Sequence, residues 1–488
     1  MFFKRIKTPG VAHNAYILGS KGMAVIIDPR RDIDEYCKIA LKNKLQIKYV
    51  FETHRQEDFV FGSDQMRELT QAQIVSGKHK YSAHSDIYLD DEETLEVGDL
   101  IFRCLYTPGH TPESVSYVVF MKDKPESAWA VFTGDALFIG ETGRTDLPDP
   151  DKTAENAAIL FDSIQNKILP LGDQTLLYPA HGSGSVCGGN IAEYDESTIG
   201  FERTYNPAFV CTKEEFIHKK IQERIPRPPY FRLMEKLNLR GGIKLSKNPE
   251  SIPSLSPKNF EEEMKRGIVI DTRLPEAFAG GHIPGTYSIW LDGLPVFGGW
   301  IADEETQIYL VLNRPEDLKK AFLHLQRIGI DQISGILAGG FEAWRDAGLK
   351  IQMSGTLSVT SKSLESNNHP VLDVRDITEF ESGHIKDSKH AYVGFLPEME
   401  NIKNELDPLE PLVVTCGVGH RASLAVSILL RFGYKNLFNL LGGTTAWKKI
   451  NKPLVKGPHE KQTLDLEIIN KRAPKELKIQ STIGNAEI

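Results

Sequence analysis

The chain has 488 residues, of which 40% are apolar and 25% are charged, proportions typical of ordinary globular domains. This length predicts about three domains. With 58 basic and 66 acidic side chains, the net charge of −8 disfavours a nucleic-acid partner or an anionic membrane surface. No apolar run approaches the roughly 18 residues that a membrane span needs, and Met1–Lys7 is not followed by the apolar stretch of a signal peptide. Five cysteines are too few for a disulfide framework, so we expect a cytoplasmic protein.

The first half of the chain predicts a series of short strands whose ends carry candidate ligands. Apolar runs at residues 23–27 and 48–51 predict two strands, and the second leads directly to His54. Further runs at residues 100–106 and 128–132 are each followed by a turn. Because loops held by a rigid scaffold can converge, we expect these strand ends to build one site.

Five side chains in four short motifs have the identities and the chain order of metal ligands. They are His54 and Asp58 in Glu-Thr-His-Arg-Gln-Glu-Asp-Phe, His110 in Thr-Pro-Gly-His-Thr, Asp135 in Phe-Thr-Gly-Asp, and His181 in Tyr-Pro-Ala-His-Gly. His54, His110 and Asp135 supply the two imidazoles and one carboxylate of a non-haem Fe(II) oxygenase, which keeps positions open for O₂ and substrate. We therefore expect one Fe(II) per chain, with Zn as the alternative. Asp58 and His181 are expected to orient these ligands by hydrogen bonds or, less readily, to bind metal directly.

These motifs resemble those of the metallo-β-lactamase superfamily, but the first one departs from its T-H-x-H-x-D-H pattern. Gln56 and Phe59 stand where two histidines are expected. Because each zinc of a two-metal site seeks about four ligands, these departures weaken an interpretation as a thioester hydrolase of the glyoxalase II type. Residues 1–245 instead resemble the persulfide dioxygenases of this superfamily, with Gly-Arg-Thr-Asp at 143–146 and Glu-Arg-Thr-Tyr-Asn-Pro at 202–207 in support. The resemblance implies an αββα sandwich.

An internal repeat organises the second half of the chain. Val-Ile-Asp-Thr-Arg at 269–273 recurs 102 positions later as Val-Leu-Asp-Val-Arg at 371–375. Two further motifs, Gly-His-Ile and Gly-Gly-x-x-Ala-Trp, recur at spacings of 102 and 103. These landmarks indicate two homologous domains, 253–353 and 359–455. Each alternates strand and helix patterns, which predicts an α/β domain with a small parallel sheet.

The last of these domains contains a cysteine loop between a predicted strand and a predicted helix. The loop consists of Cys416, Gly417, Val418, Gly419, His420 and Arg421. Backbone N–H groups in such a loop form an anion nest, and the helix N-terminus and Arg421 add positive charge. These features favour the thiolate of Cys416, which we predict to be a nucleophile that carries persulfide sulfur. A loop of six residues is typical of rhodaneses, and both repeated domains resemble rhodanese modules.

The middle domain lacks this nucleophile. A spacing of 103 places Asn313 opposite Cys416, and residues 253–353 contain no cysteine. Pro315 and Glu316 would also remove a backbone N–H and add negative charge. We predict a spacer or docking role for this domain.

As a whole, the chain resembles bacterial proteins in which a persulfide dioxygenase is fused to rhodanese modules. The resemblance implies that a thiol persulfide, such as glutathione persulfide, is oxidised with O₂ to sulfite. Sulfane sulfur would pass through Cys416 and give thiosulfate if sulfite is the acceptor. The alternatives are a glyoxalase II-like zinc hydrolase, a sulfurtransferase with an inactive first domain, and a non-enzymatic persulfide sensor. A homo-oligomer is compatible with the sequence.

Three further residues are candidate substrate contacts, and each has a structural alternative. Arg144 is a fork-shaped donor that suits a substrate carboxylate. Tyr178 resembles a phenol that faces the metal pocket in the family. Cys187 lies in a glycine-rich loop after His181 and is a candidate sulfur acceptor, or else an inert packing residue.

The rest of the chain carries weaker signals. Residues 212–253 predict a helical connection, and residues 456–488 predict a polar, partly disordered extension. Six histidines and cysteines outside the motifs are expected to be solvated, satisfied by neighbours or packed: His13, His79, His84, Cys37, Cys104 and Cys211.

Overall fold

The computed structural model describes residues 1–147, 149–245, 248–361, 369–458 and 462–472, so the end of the predicted extension lies outside the described residues. The chain divides into two compact units. The first contains Met1–Leu245, and the second consists chiefly of Ser246–Gln326 and Ile330–Lys471. Within the described ranges, no helix is both long enough and apolar enough to cross a membrane.

The first unit contains two six-stranded sheets in which strands neighbour one another in chain order. The first sheet contains β1 (Phe2–Thr8), β2 (His13–Ser20), β3 (Met23–Ile27), β4 (Gln46–Phe51), β5 (Gln73–Gly77) and β6 (Ile87–Leu89). The second contains β7 (Thr94–Val97), β8 (Leu100–Tyr106), β9 (Val115–Met121), β10 (Lys124–Gly134), β11 (Leu176–Pro179) and β12 (Ser197–Thr198). The first sheet is parallel from β3 to β6. In the second sheet, β10 and β11 form a parallel pair.

Apolar side chains from both sheets fill the space between them. Phe51 and Val75 of the first sheet pack with Phe102, Tyr117 and Phe132 of the second. This packing follows from the alternation of side chains along each strand, which sends every second residue toward the facing sheet.

Helices cover the two outer faces of this sandwich. They are α1 (Asp34–Lys42), α2 (Ser63–Thr70), α3 (Thr153–Ser163), α4 (Ile199–Glu202), α5 (Pro207–Val210), α6 (Lys213–Gln222) and α7 (Phe231–Asn238). Tyr36 and Met66 pack from α1 and α2 onto the first sheet. Leu160 and Phe216 pack from α3 and α6 onto the second. The predicted αββα architecture is confirmed.

The second unit contains two modules that repeat one topology. The middle module contains β13 (Ser254–Leu255), β14 (Ile268–Asp271), β15 (Tyr287–Ser288), β16 (Ile308–Val311) and β17 (Ile333–Leu337), in the spatial order β13-β17-β16-β14-β15. The C-terminal module contains β18 (Gly355–Ser358), β19 (Val371–Asp373), β20 (Lys389–His390), β21 (Leu412–Thr415) and β22 (Leu437–Leu441), in the equivalent order β18-β22-β21-β19-β20. All neighbouring strands are parallel, as the sequence repeat predicts.

Helices connect these parallel strands. In the middle module they are α8 (Pro257–Glu263), α9 (Pro275–Gly280), α10 (Leu294–Ile301), α11 (Asp317–Arg327) and α12 (Gly340–Asp346). In the C-terminal module they are α13 (Ile377–Ser382), α14 (His420–Arg431), α15 (Gly443–Lys449) and α16 (Leu466–Arg472). Such crossover helices are what parallel neighbours require, because a tight hairpin can join only antiparallel strands.

Residues 462–472 of the C-terminal extension have defined structure, which is compatible with the prediction of a partly disordered segment. The backbone N–H of Leu464 donates to the carbonyl of His390 at 2.8 Å. The imidazole of His390 lies 3.3 Å from the carboxylate of Asp465, and both side chains are buried. Residues 462–471 therefore pack as part of the C-terminal module.

Each module contains a buried Asp–Arg pair next to its central strand. Arg273 donates to both carboxylate oxygens of Asp271 and, at 2.8 Å, to the carbonyl of Gly281. The C-terminal module repeats this arrangement 102 positions later. The pair ties the strand end to the turn after α9, which explains why the Asp-x-Arg motif recurs in both modules.

Arg273→Met would leave the carboxylate of Asp271 buried without its partner. We expect the free energy of unfolding of this unit to fall by about 3 kcal/mol or more. Arg266→Met is the control, because it removes an exposed pair with Glu263 and should change this free energy by less than about 1 kcal/mol. Urea unfolding followed by circular dichroism measures both. Equal stability of the two variants would contradict the structural role of the buried pair.

Candidate functional site

Four strand ends of the first unit carry candidate ligands to one buried region. His54 follows β4, His110 follows β8, Asp135 follows β10 and His181 follows β11. Because β10 and β11 are parallel neighbours, their carboxyl ends lie at the same edge of the sheet. All four side chains are at most 3% exposed. The fold therefore brings together residues that lie far apart in the sequence.

His54, His110 and Asp135 direct unpartnered atoms toward one another. Nε2 of His54 lies 3.6 Å from Oδ2 of Asp135, and Nε2 of His110 lies 3.4 Å from the same oxygen. None of these three atoms has a hydrogen-bond partner among the described residues. Buried polar atoms normally have hydrogen-bond partners. The two nitrogens and one oxygen of this cluster lack them and are atoms of the kind that coordinate a metal ion.

Hydrogen bonds at Nδ1 determine how the two histidines present Nε2. Nδ1 of His110 lies 2.8 Å from the carbonyl oxygen of Arg144, which can only accept a hydrogen bond. The hydroxyl of Thr53 donates to Asp28 and therefore accepts from Nδ1 of His54, at 3.0 Å. In the neutral rings both Nε2 atoms thus carry a lone pair, which is the tautomer that metal-binding histidines need.

Asp58, His181 and Asp135 form a buried chain beside this cluster. Nδ1 of His181 lies 2.7 Å from Oδ1 of Asp135, and its Nε2 lies 2.9 Å from Oδ2 of Asp58. Burial opposes ionisation of Asp135, but His181 and His54 hold the pKa of its carboxyl well below the ordinary value. His181 holds Asp135 with its other oxygen toward the two histidines, an arrangement that fits an orienting role.

Cys187 joins a second group of possible ligand atoms. Asp58, His181 and Cys187 each place one such atom within 4.8 Å of the others, and all three residues are buried. Burial raises the pKa of the Cys187 thiol well above its ordinary value, and Asp58 and Asp135 add to the increase. The side chain also packs with Phe138. Cys187 therefore lies next to the candidate centre as a buried thiol whose ionisation is disfavoured.

The C-terminal module presents Cys416 in a tight loop between β21 and α14. The backbone N–H of Gly419 donates to Sγ of Cys416 at 3.1 Å. Gly419 has a φ of 115°, a left-handed conformation that favours glycine and lets the loop turn back toward the sulfur. Cys416 is 1% exposed, whereas Val418 in the same loop is 50% exposed. The loop thus encloses the sulfur and directs a backbone donor at it.

Arg421 does not present a free positive charge to this loop. Its two terminal nitrogens donate to both carboxylate oxygens of Glu379 in α13. Burial opposes ionisation of Glu379, but the hydrogen bonds from Arg421 hold the pKa of its carboxyl below the ordinary value. An anion bound at the loop would therefore share Arg421 with Glu379, which the sequence pattern around Cys416 does not reveal.

The middle module contacts the cysteine loop of its neighbour through an aromatic side chain. The rings of Trp290 and His420 stack with centroids 4.8 Å apart and an interplanar angle of 27°. The hydroxyls of Ser288 and Ser423 lie 2.7 Å apart at the same face of α14. Trp290 thus packs on His420, which belongs to the cysteine loop and is the first residue of α14.

The sheet register identifies the residue that replaces the cysteine in the middle module. In both modules the last residue of the central strand, Val311 or Thr415, pairs with the aspartate of the Asp-x-Arg motif. The next residue, Leu312, therefore corresponds to Cys416, and the predicted equivalence with Asn313 is wrong by one position. Leu312 is buried and apolar, so this module has no nucleophile at the position.

Comparison with protein families agrees with this architecture. Residues 8–181 match the metallo-beta-lactamase superfamily, and residues 256–347 and 356–450 each match the rhodanese-like domain. The chain is a metallo-β-lactamase domain followed by two rhodanese-like domains.

Two kinds of enzyme are similar in sequence to the metallo-β-lactamase domain. Mitochondrial persulfide dioxygenase ETHE1 of Bos taurus and of Homo sapiens is 29% identical over 231 residues, which are 47% of this chain and 84% of each relative. A hydroxyacylglutathione hydrolase of Francisella tularensis subsp. novicida is 31% identical over 169 residues, 34% of this chain and 61% of the relative.

One solved structure extends the similarity beyond the first domain. A metallo-beta-lactamase from Staphylococcus aureus subsp. aureus COL is 29% identical, with a TM-score of 0.62, and the match covers 69% of this chain and 98% of that chain. A match of this size exceeds Met1–Leu245 and therefore includes part of the rhodanese-like half.

Arg144 has a structural position in the metallo-β-lactamase domain, so the prediction of a substrate-binding donor does not fit. Its guanidinium donates to both carboxylate oxygens of Asp146 at 2.6 Å. It also donates to the backbone carbonyls of Val186, Ile225 and Pro226. The side chain is 1% exposed. Arg144 therefore contributes to the centre through its own carbonyl, which orients His110, and not through a free guanidinium.

Tyr178 is likewise a core residue of this domain. Its ring lies between the two sheets, with its centroid 4.8 Å from that of Phe3 and 5.3 Å from that of Phe132. The prediction of a phenol that faces the metal pocket does not fit this position. The two-residue period of β11 turns Tyr178 toward the core.

Glu57 joins the candidate centre although its motif position is variable. One carboxylate oxygen of Glu57 and one imidazole nitrogen each of His54 and His110 lie within 4.8 Å of one another, and all three residues are buried. The spacing of three residues between His54 and Glu57 is the only sequence signal that could have suggested it.

The histidines outside the motifs divide into two kinds. His84 pairs with Glu52 at 2.7 Å, and His79 accepts a hydrogen bond from the backbone, so both are satisfied as predicted. His13 is fully buried, and its Nε2 has no hydrogen-bond partner within the described part of the chain. Burial lowers the pKa of His13 well below the ordinary value, and His181 adds to the decrease. Nδ1 of His13 lies 3.3 Å from the hydroxyl of Thr8, so the prediction of a side chain satisfied by neighbours holds for Nδ1 and not for Nε2.

Gly143 leaves no room for a side chain between two candidate ligands. A Cβ at this position would lie 2.1 Å from the carbonyl oxygen of Asp135 and 2.9 Å from Nδ1 of His110. We expect Gly143→Ala to displace His110 and to weaken metal binding by about tenfold or more, measured as metal retained per chain after dialysis. Gly182→Ala is the control, because the nearest atoms to its Cβ would be 3.9 Å away. Equal retention by both variants would contradict a metal centre at this position.

Proposed function

We propose that this protein oxidises a low-molecular-weight thiol persulfide with O₂ at a single Fe(II) site and transfers sulfane sulfur through Cys416. The observation that carries the proposal is the buried cluster of unpartnered atoms from His54, His110 and Asp135. Similarity to persulfide dioxygenases and the presence of two rhodanese-like domains both support an enzyme of sulfur metabolism.

The donor set of the cluster fits Fe(II), with Zn as the alternative. Two imidazoles and one carboxylate form the facial triad of non-haem iron oxygenases. When bound, Fe(II) would supply activation of O₂ and a binding position for the persulfide sulfur. His54, His110 and Asp135 would hold the ion, while the carbonyl of Arg144 and the imidazole of His181 orient two of these ligands.

The first reaction converts R-S-S⁻, O₂ and water into R-SH, sulfite and one proton. The S–S bond breaks, the zero-valent terminal sulfur is oxidised to sulfite, and O₂ is reduced. The inner sulfur leaves as a thiolate that takes a proton from water. The cluster is buried, so bulk water would be excluded from the site. Exclusion of bulk water would limit side reactions of the persulfide sulfur.

The second reaction uses Cys416 as a sulfur carrier. Its thiolate attacks the terminal sulfur of R-S-S-H, R-S⁻ leaves, and Cys416 becomes a persulfide. Sulfite then attacks the terminal sulfur of Cys416-S-S⁻, which gives thiosulfate and regenerates the thiolate. The N–H of Gly419 stabilises negative charge on the Cys416 sulfur. Placing both activities on one chain raises the effective concentration of the shared sulfur species.

A zinc thioester hydrolase is the second candidate, because a hydroxyacylglutathione hydrolase is among the relatives. Two residues argue against it. Phe59 places an apolar ring 4.1 Å from the ring of His13, where the superfamily pattern expects a metal-binding imidazole. Gln56 replaces the other expected histidine. Two zinc ions per chain together with thioesterase activity would favour the hydrolase over the dioxygenase.

His110→Ala removes one of the candidate metal ligands. We expect O₂ uptake with glutathione persulfide to fall by about a hundredfold or more, while cyanide-dependent sulfur transfer by Cys416 is retained. An oxygen electrode and a thiocyanate assay measure the two activities. His79→Ala is the matched control, because His79 is a half-buried histidine outside the cluster. Loss of both activities in His110→Ala would show that the two sites do not work separately.

Cys416→Ser removes the predicted sulfur carrier and should have the opposite effect. We expect O₂ uptake to be retained, while the product changes from thiosulfate to sulfite because no persulfide forms in the loop. Ion chromatography of the sulfur oxyanions measures the change, with Cys211→Ser as the control for loss of a thiol outside both sites. Unchanged thiosulfate production in Cys416→Ser would assign sulfur transfer to another residue, of which Cys187 is the first candidate.

A further inference from the structure

Glu57 brings a fourth donor group to the candidate metal centre. It lies in the turn after β4, and its side chain is 1% exposed. Neither of its carboxylate oxygens has a hydrogen-bond partner in the described ranges. Burying a carboxylate away from water is unfavourable unless hydrogen bonds or a cation compensate. Because hydrogen bonds are missing, the position of Glu57 indicates a cation.

The carboxylates of Glu57 and Asp135 face the same two imidazoles. Oε2 of Glu57 lies 3.5 Å from Nε2 of His110 and 3.9 Å from Nε2 of His54. Oδ2 of Asp135 lies 3.4 Å and 3.6 Å from the same nitrogens. The ligand atoms of Glu57, His54 and His110 lie within 4.8 Å of one another, and Asp135 contacts the same two nitrogens.

A direct ion pair between Glu57 and His110 does not account for these contacts. Nδ1 of His110 donates to a carbonyl, so the neutral ring has a lone pair at Nε2 that repels a carboxylate oxygen. A protonated ring would offer a single N–H to two carboxylates. The distance of 3.5 Å is also longer than an ordinary N–H···O hydrogen bond. A cation held by the two imidazoles would compensate the charge of both carboxylates.

We infer that Glu57 is a fourth protein ligand of the metal ion held by His54, His110 and Asp135. This inference rests on the metal site proposed above and adds one donor to it. With Glu57 added to the three residues, a bound Fe(II) would have fewer coordination positions available for O₂ and the persulfide than the three residues alone would leave.

The test compares Glu57→Gln with Glu113→Gln in the full-length, metal-stripped protein. Glu113 is also buried, and one of its oxygens is unpartnered, but its other oxygen accepts from the backbone of Arg55. Anaerobic titration with Fe(II) against a chelator should show that Glu57→Gln raises the dissociation constant by about tenfold or more. Glu113→Gln should leave it within about twofold of the original value. The ligand-field spectrum of bound Co(II) should change only in Glu57→Gln, because only there does the donor set change.

Each result decides a separate question. If Glu57→Gln binds Fe(II) with the original affinity and Co(II) with the original spectrum, Glu57 is not a ligand, while the three-residue site of the proposed function stands. If the unaltered protein binds no Fe(II), the metal site and the fourth ligand are both wrong. If Glu57→Gln does not fold, Glu57→Leu replaces it, because removing a buried charge in favour of an apolar side chain is often neutral or stabilising. Unchanged affinity and spectrum in Glu57→Leu would overturn the inference in the same way.

Discussion

Buried carboxylates with unpartnered oxygens are the constraint on which the candidate centre of the first domain depends. Asp135 and Glu57 bring two carboxylates into a region that excludes water, and both face the imidazoles of His54 and His110. Isolated charges in such surroundings are unfavourable by several kcal/mol or more. A bound cation would convert the same contacts into stabilising ones. Metal binding and the stability of this domain are therefore expected to be linked.

The groups around this cluster act mainly by holding ligands in position. His181 bonds one oxygen of Asp135 and leaves the other directed at the two histidines. The carbonyl of Arg144 fixes the tautomer of His110, and the guanidinium of the same residue anchors the segment through Asp146. Residues that look like substrate contacts in the sequence can thus serve the centre indirectly. Their effect is to reduce the freedom of the ligands, which favours tight and selective metal binding.

The two rhodanese-like domains share one topology but differ at the residue after the central strand, which is Cys416 in one domain and Leu312 in the other. Both have the same strand order and the same buried Asp–Arg pair, so the scaffold does not depend on the cysteine. Leu312 fills the position of Cys416 in the domain without a nucleophile. That domain still contacts the reactive loop, because Trp290 stacks on His420. The contribution of the middle domain is therefore a packing contact with the loop. Within the C-terminal domain, the carboxylate of Glu379 pairs with the guanidinium of Arg421.

The resemblance of the first motifs to a known superfamily implied the αββα sandwich, and the sequence alone predicted the repeated α/β domains, the strand-end motifs of His54, His110 and Asp135, and the loop of Cys416. Each of these depends on a contiguous pattern, such as an apolar run followed by a turn, which is visible without knowing what lies opposite. The tertiary structure decided the rest. It placed Glu57 at the cluster, enclosed Arg144 and Tyr178, paired Arg421 with Glu379, and ordered residues 462–471. These outcomes depend on contacts between residues far apart in the chain, and such contacts leave no local pattern in the sequence.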